Sequence, residues 1–316
     1  MQSSFSAFFF REKVTRTQKF LSDMEDILPW KLLLEPLRDW KTAETGRKGF
    51  SAETMLRMWL LQNWYGLSDE LTEERVYEGM SFQRFMGIDL GQPIPDATTL
   101  CLFRQWMVEH GVQEQLFQAV NGFLEERGLL VKKGTLEDAT VIETAKSRKN
   151  EKKSYNDTEA GTTKKGNRWF RGYKLHTGTD AHLPIIHTAT VTSANIHDGS
   201  QFDALLHGKE EAVFADEAYY SEERKSMLRK AGKFCGILDR AHRGKPLTNR
   251  QQQRNRKKSR VRSFVEHPYN IIKNRFHVAK TRYVGLANNT AFFVGLCMLH
   301  NLYVARRHLL PRECHA

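Results

Sequence analysis

The chain has little cysteine and no long apolar stretch, and each shortage removes a class of protein. Its four cysteines in 316 residues, Cys101, Cys235, Cys297 and Cys314, lie far apart, with no CxxC pair and no histidine at ligand spacing. Neither a disulfide framework nor a zinc finger fits, and a reducing cytoplasm does. No run approaches the roughly 18 apolar residues of a membrane span; the best, Ala291 to Ala305, is broken by His300 and Asn301. The cluster Phe8-Phe9-Phe10 is short and runs into Arg11-Glu12-Lys13, so neither a signal peptide nor a membrane partner is expected. With 40% hydrophobic residues the chain can bury one large core or two modest ones, as a globular enzyme does.

Acidic residues are absent from one stretch. Between Arg240 and Arg262 stand ten basic residues, Arg240, Arg243, Lys245, Arg250, Arg254, Arg256, Lys257, Lys258, Arg260 and Arg262, out of a formal net charge of +12. A second segment, Thr144 to Arg168, holds eight Lys or Arg, among them Lys164, Lys165 and Arg168, against Glu151, Asp157 and Glu159. Cations concentrated in two places, interleaved with Asn249, Gln251, Gln252, Gln253 and Asn255, read as a phosphate-contacting surface; a solvated charge run or a localisation tag is the plainer alternative. Neither segment has apolar residues enough to bury, so both are expected to be mobile without a partner.

Periodicity divides the chain near residue 130. Before it the pattern is helical: Ser51 opens an apolar-periodic run from Met55 to Tyr65, and Pro95-Asp96-Ala-Thr-Thr99 marks a turn and N-cap for a helix from about Leu100 to His110. A short helix, a turn and a capped helix is the outline of a helix-turn-helix, although Phe103, Trp106 and Met107 suit a core equally well. After Gly128 the period shortens. Segments 131–143, 169–179, 183–192, 212–216 and 234–238 are strand-like, and 198–206 and 222–230 helix-like. Three strands, a helix, a strand, a helix, a strand and a long final helix describe a ribonuclease H-like order. The expected fold is thus α/β: an all-α domain over 1–130 and a ribonuclease H-like catalytic domain, a mixed sheet flanked by helices, over 131–316. In that architecture a strand-one aspartate, a carboxylate ending strand four and one on the last helix converge on metal, and Asp138, Asp216 and Glu266 fill the three places.

Glu266 sits in Arg262-Ser-Phe-Val-Glu266-His-Pro-Tyr-Asn-Ile-Ile-Lys273, where helical spacing puts Arg262, Glu266 and Lys273 on one side. An acid flanked by two cations suits a metal site that also grips a phosphodiester; an ordinary i,i+4 ion pair is the simpler alternative. Pro268 has no N–H and clashes with the carbonyl of Phe264 in an unbroken helix, so a kink, or a helix beginning near Glu266, is expected.

Several ordered motifs then point one way. Gly134-Thr-Leu-Glu-Asp138-Ala-Thr-Val-Ile-Glu, Thr163-Lys-Lys-Gly-Asn-Arg-Trp, Gly172-Tyr-Lys-Leu-His, Ala194-Asn-Ile-His-Asp198, Phe214-Ala-Asp216 and the Glu266 segment together resemble bacterial insertion-sequence transposases of the DDE type, most of all the insertion-sequence-five family. The resemblance runs from about Arg16 to Arg306. It implies that Asp138, Asp216 and Glu266 bind two Mg²⁺, with Mn²⁺ able to substitute. It implies that Arg262 and Lys273 match a Tyr-x2-Arg-x3-Glu-x6-Lys signature whose tyrosine falls on Ser259 here. DNA contacts are then expected from Arg262, Lys273, Arg254, Arg256, Lys257, Lys258, Arg260, Lys164, Lys165 and Arg168. The implied partners are double-stranded DNA, as terminal inverted repeats and target, and a second copy of the chain; the implied place is the bacterial nucleoid. A ribonuclease H-like nuclease without strand transfer, or a silent DNA-binding relative, is the alternative.

Competing carboxylates have readings of their own. Glu137 and Glu217 adjoin the proposed ligands, but neighbours on a strand face opposite ways, which favours the aspartates. Asp180 reads as a hairpin-turn residue and Asp198 as a helix cap. His176, His197 and His267 lack metal-ligand spacing.

Overall fold

Capping and apolar spacing organise the front of the chain. The computed structural model of the protein describes residues 14–40, 49–89, 91–145, 157–242 and 244–311. Its first helices are α1 (Arg16–Ile27), α2 (Trp30–Leu34), α3 (Ala52–Tyr65), α4 (Asp69–Glu78), α5 (Met80–Met86), α6 (Ala97–Glu109) and α7 (Val112–Glu126). Thr15, Ser51, Ser68 and Asp96 each accept the N–H three residues on, satisfying donors a helix start otherwise leaves unpaired. Every residue of α3 from Met55 to Trp64 is buried, so it is the axis around which the others pack. Even Arg57 is inside, paired with Glu25 and Glu53 and lying 3.8 Å from the centre of the Trp30 ring. Gly66 ends this helix at φ +67, and a Cβ there would meet the Phe276 carbonyl at 2.7 Å, so only glycine fits.

The sheet supplies the frame of the site. Its strands are β1 (Gly134–Thr144), β2 (Gly161–Lys165), β3 (Arg168–Asp180), β4 (Ile186–Ser193), β5 (Ala212–Ala215), β6 (Phe234–Cys235) and β7 (Lys280–Thr281). The order is β2-β3-β1-β5-β6, with β4 also on β3 and β7 on β1. β1, β3 and β4 run antiparallel, while β5 pairs parallel with β1 and β6 with β5. Helices α8 (Phe202–Leu205) and α9 (Glu222–Lys230) follow β4 and β5. The remaining helices are α10 (Asn249–Arg262), α11 (Glu266–Asn270) and α12 (Leu286–Leu309).

α12 ties the halves together. Its inner face packs among the front helices and β4, and buried Asn301 donates to Asn121 of α7 while exchanging both backbone bonds with Ile186 of β4. One hydrophobic cluster therefore includes Phe20, Trp59 and Phe103 from the front together with Ile142, Tyr173 and Phe293 from the rest. The molecule is a mixed α/β protein whose core crosses residue 130.

Some local expectations are corrected. The last expected strand, 234–238, keeps only Phe234–Cys235, although beyond it Gly236 and Leu238 still donate to Val213 and Ala215. β2 and β7 were not expected. His197, rather than Asp198, caps the short 3₁₀ turn Asp198–Gln201, its Nδ1 accepting from Gly199. Asp180 is more than a turn residue: buried at the end of β3, it accepts from Val131, Lys132 and His182.

Candidate active site and nucleic-acid interface

Register brings two aspartates side by side. β1 and β5 pair in parallel, their strands about 4.8 Å apart, with Glu137 opposite Ala215, so the next residues, Asp138 in β1 and Asp216 just past the end of β5, follow side by side. Burial pushes the Asp138 carboxyl up to about 6; the charge of Asp216 adds to that, and Arg262, the Ala139 N–H and Lys165 oppose it. Asp216 leaves β5 as the cap of a 3₁₀ turn, its Oδ1 accepting from Glu217 at 2.6 Å. Tyr219, in that turn, is buried with no partner for its hydroxyl among the described residues. Burial, then the surrounding Asp198, Asp138, Glu137 and Asp216, raise it far above an ordinary phenol.

The Glu266 segment closes over this edge, but not as one α-helix. α10 passes through a 3₁₀ turn (Ser263–Val265) into α11 and then a π-helical turn (Ile271–Arg275). The irregularity surrounds Pro268, whose missing donor cannot bond Phe264, as expected. Arg262 nevertheless reaches the site, its Nη1 lying 3.8 Å from Asp138 Oδ1. Tyr269 donates to the Asp138 carbonyl at 2.8 Å and pairs with Thr177 at the same distance. Lys273 turns its ammonium inward, to Thr140 Oγ1 at 2.6 Å and the Val141 carbonyl at 3.2 Å. Burial, then Lys165, lower its pKa. Glu266 itself is exposed.

Two of the three carboxylates thus stand together, and among the described residues no three His, Cys, Asp or Glu side chains are grouped to hold a metal. Neighbouring carboxylates fit the oxygen donors a hard divalent cation takes. Glu266, expected as the third ligand, is exposed and is not grouped with them. From the sequence, Tyr219 suited stacking on an unpaired base or core packing equally well, and the structure buries it; Tyr269 had no signal beyond its place three residues after Glu266. The rivals stand elsewhere: Glu137 is fully buried, with neither carboxyl oxygen partnered among the described residues, Glu217 is exposed, and Asp198 pairs with Lys174 at 2.7 Å. His176 is buried on Thr192 and lowered to about 4 by burial, and His267 stacks on Phe264.

Two basic surfaces flank the pair. Lys164, Lys165, Arg168 and Trp169 are exposed at the tip of the β2–β3 hairpin, where Gly166 takes φ +60 in a tight turn. Lys164 lies 5.8 Å from the centre of the Trp169 ring, and Arg168 pairs with Glu143 at 3.2 Å. The second surface is α10. The expected mobility of 240–262 is corrected over Asn249–Arg262, which is helical without a single buried residue. A capping box between Thr248 and Gln251 starts it, and Asn255 exchanges two bonds with the backbone of Asp239. Lys258 donates to the Ile237 carbonyl and Arg254 pairs with Asp239, which Lys225 also holds. Arg256, Lys257 and Arg260 point outward. Arg243 and residues 146–156 of the other basic segment lie outside the described residues.

Among the described residues no helix is long and apolar enough to cross a membrane. The pattern of the family described as Transposase domain (DUF772) matches residues 8–106. A solved crystal structure of the Mos1 strand transfer complex aligns with 86% of this chain and 99% of that chain at 10% identity. Its TM-score of 0.20 is too low to carry an argument. The pattern of the Transposase DDE domain matches residues 131–302, more than half of the chain and the stretch that holds both aspartates and Glu266. The protein belongs to that family of DDE transposases, enzymes that cut DNA and transfer the freed strand.

Proposed function

We propose that the chain is the transposase of an insertion sequence of the insertion-sequence-five type, with a ribonuclease H-like catalytic half in which Asp138, Asp216 and Glu266 are the acidic triad. The observation that carries this reading is the parallel register of β1 and β5, which sets Asp138 beside Asp216. Antiparallel β4, β3 and β1 followed by parallel β5 and β6 agree with the ribonuclease H-like order.

The two aspartates would hold Mg²⁺, or Mn²⁺ in its place, and Glu266 would complete the set once DNA and metal draw its helix inward. Bound as a pair, such ions activate a water or 3′-hydroxyl and stabilise the leaving oxygen. The chain's own groups do the rest. Arg262, free to leave Asp138, takes a phosphate oxygen; Tyr269 fixes the backbone beside Asp138; Lys273 keeps a cation behind the strand. The hairpin cations Lys164, Lys165 and Arg168 and the outward cations of α10 hold the duplex on either side, with Arg254 and Lys258 reaching it only from the helix flank.

Residues 1–130 serve in end binding and in pairing two copies on DNA. Incubating the protein with labelled end DNA and Mg²⁺, then with target, tests the whole reading. Cut but never joined product would favour the nuclease alternative, and binding without cutting the silent relative.

A further inference from the structure

We propose that α10 is a base-reading helix: its outer stripe Asn249, Gln253, Arg256 and Arg260 enters the major groove of the bound duplex and selects the sequence next to the cut. The inference rests on the reading of Asp138 and Asp216 as the cutting site.

The two faces of α10 are chemically distinct. At 100° per residue, Gln251, Asn255, Lys258 and Arg262 form one stripe, and all four are half-buried against the body. Opposite them, at the same spacing, lie Asn249, Gln253, Arg256 and Arg260, all exposed. Among the described residues none of these four side chains has a hydrogen-bond or ion-pair partner. A helix with no buried residue, tethered along one edge, projects as a rod about 10–12 Å across, which matches a major groove about 12 Å wide.

The residue types favour bases over backbone. An amide gains little from the phosphate field, whereas Asn and Gln match the edge of adenine and Arg that of guanine in bidentate pairs. Amide, amide, arginine, arginine on successive turns is therefore a reading stripe. Its flanks carry what positions a helix in a groove: Arg250 and Lys257 to one side, Ser259 and Ser263 to the other, the latter lining an open groove with Gln252 and Arg256. From Asn249 to Arg260 the stripe spans about 16 Å at 1.5 Å per residue, or about five base pairs at 3.4 Å each. Arg262, two residues beyond, touches Asp138. The bases read are thus those adjoining the scissile phosphate.

The rival reader, α6, is poorly placed. Phe103 and Met107 are core, its arginine Arg104 is tied to Asp69, and its outer face shows Leu102, Gln105 and Glu109, with no cation.

The test keeps the charge constant. The full-length variant Asn249→Ala, Gln253→Ala, Arg256→Lys and Arg260→Lys has the same net charge and better helix formers at its first two positions. Its binding is compared with wild type on two duplexes: the inverted repeat flanking the chain's own gene, and that repeat with the five base pairs next to the cut scrambled. Wild type should prefer the intact repeat. The variant should bind the scrambled duplex as wild type does, with the same salt slope, yet lose at least about tenfold of the preference. An undiminished preference overturns the proposal.

A second probe needs no mutation. Replacing guanines in those five pairs by 7-deazaguanine removes only a major-groove acceptor; it should weaken wild type and leave the variant indifferent, and equal loss in both overturns the proposal. Absence of any preference in wild type would sink end recognition and α10 reading together. Cutting that survives Asp138→Ala would remove the proposed site while leaving the binding result to stand.

Discussion

α6 and α10 are nearly equal in length, 13 and 14 residues, and each begins on a side-chain cap, Asp96 or Thr248. There the likeness ends. α6 buries Leu100, Phe103 and Met107 in the common core, whereas α10 buries nothing and is held by Asp239, the Ile237 carbonyl and its own capping box. A cap marks where a helix starts; what the rest of the helix meets decides its work. α6 gives stability to the fold, and α10, on the reading proposed above, gives a surface to DNA.

The largest expected effect belongs to neither helix and separates holding DNA from cutting it. Asp138→Ala or Asp216→Ala should lower Mg²⁺-dependent cutting by about 10⁴-fold or more, because groups that act as a unit fail together. Binding through α10 should survive. Glu266→Ala should be as severe if Glu266 joins the pair on DNA. Substantial cutting by any one variant would remove that residue from the set.

Next in size is the contrast in stability. Phe103→Ala opens a cavity in the shared core and should cost about 3–5 kcal/mol. Arg256→Ala on α10 should change stability by no more than about 0.5 kcal/mol while weakening DNA binding. Urea unfolding measures both. Comparable losses from the two variants would mean that α10 is part of the cooperative core.

That contrast also explains what could be read from the chain alone. Apolar periodicity and caps revealed α3 and α6, because an apolar run opened by a capping residue leaves a regular pattern. β1, β3, β4 and β5 were legible from their shorter period, and with them Asp138 and Asp216. α10 was misjudged as mobile: its tethers are a carboxylate, an amide and a backbone carbonyl from residues 237–239, which leave no apolar trace. β2 was hidden because Thr162, Lys164 and Lys165 are exposed and show no alternation of burial deep enough to notice. The separation of Glu266 from the aspartates depends on how the chain turns around Pro268, which spacing along a regular helix cannot supply.

A smaller effect comes from pH. The Asp138 carboxyl is raised to about 6 in the folded chain by burial and by Asp216, against about 3.9 unfolded. Between those values the folded chain holds the extra proton, so stability falls as pH rises through the window and stays lowered above it. Asp138→Asn should therefore stabilise the metal-free protein by about 1–2 kcal/mol at pH 8 and do nearly nothing at pH 3.5. The gain is held below full burial by the fifth of the side chain still in solvent. The α10 change Arg260→Gln should show no such window. A gain for Asp138→Asn that is the same at both pH values would mean the carboxyl is not the cause.

The smallest effect returns to the two caps. Removing either side chain should cost its helix about 1 kcal/mol, but the loss should appear in different places. In α6 the first turn cannot open without disturbing Leu100 and Phe103, so Asp96→Ala should lower the global unfolding free energy by that amount. α10 can fray on its own, since none of its residues is buried. Thr248→Ala should leave the urea midpoint unchanged and instead speed amide exchange in the first turns of α10 by about fivefold, the factor that 1 kcal/mol represents. The Gln251 side chain, which now accepts from the Thr248 N–H, reports on the same turn, so Gln251→Ala should speed the same amides. If Thr248→Ala lowered the midpoint as much as Asp96→Ala, α10 would unfold only with the whole chain, and its independence as a DNA-facing element would be lost.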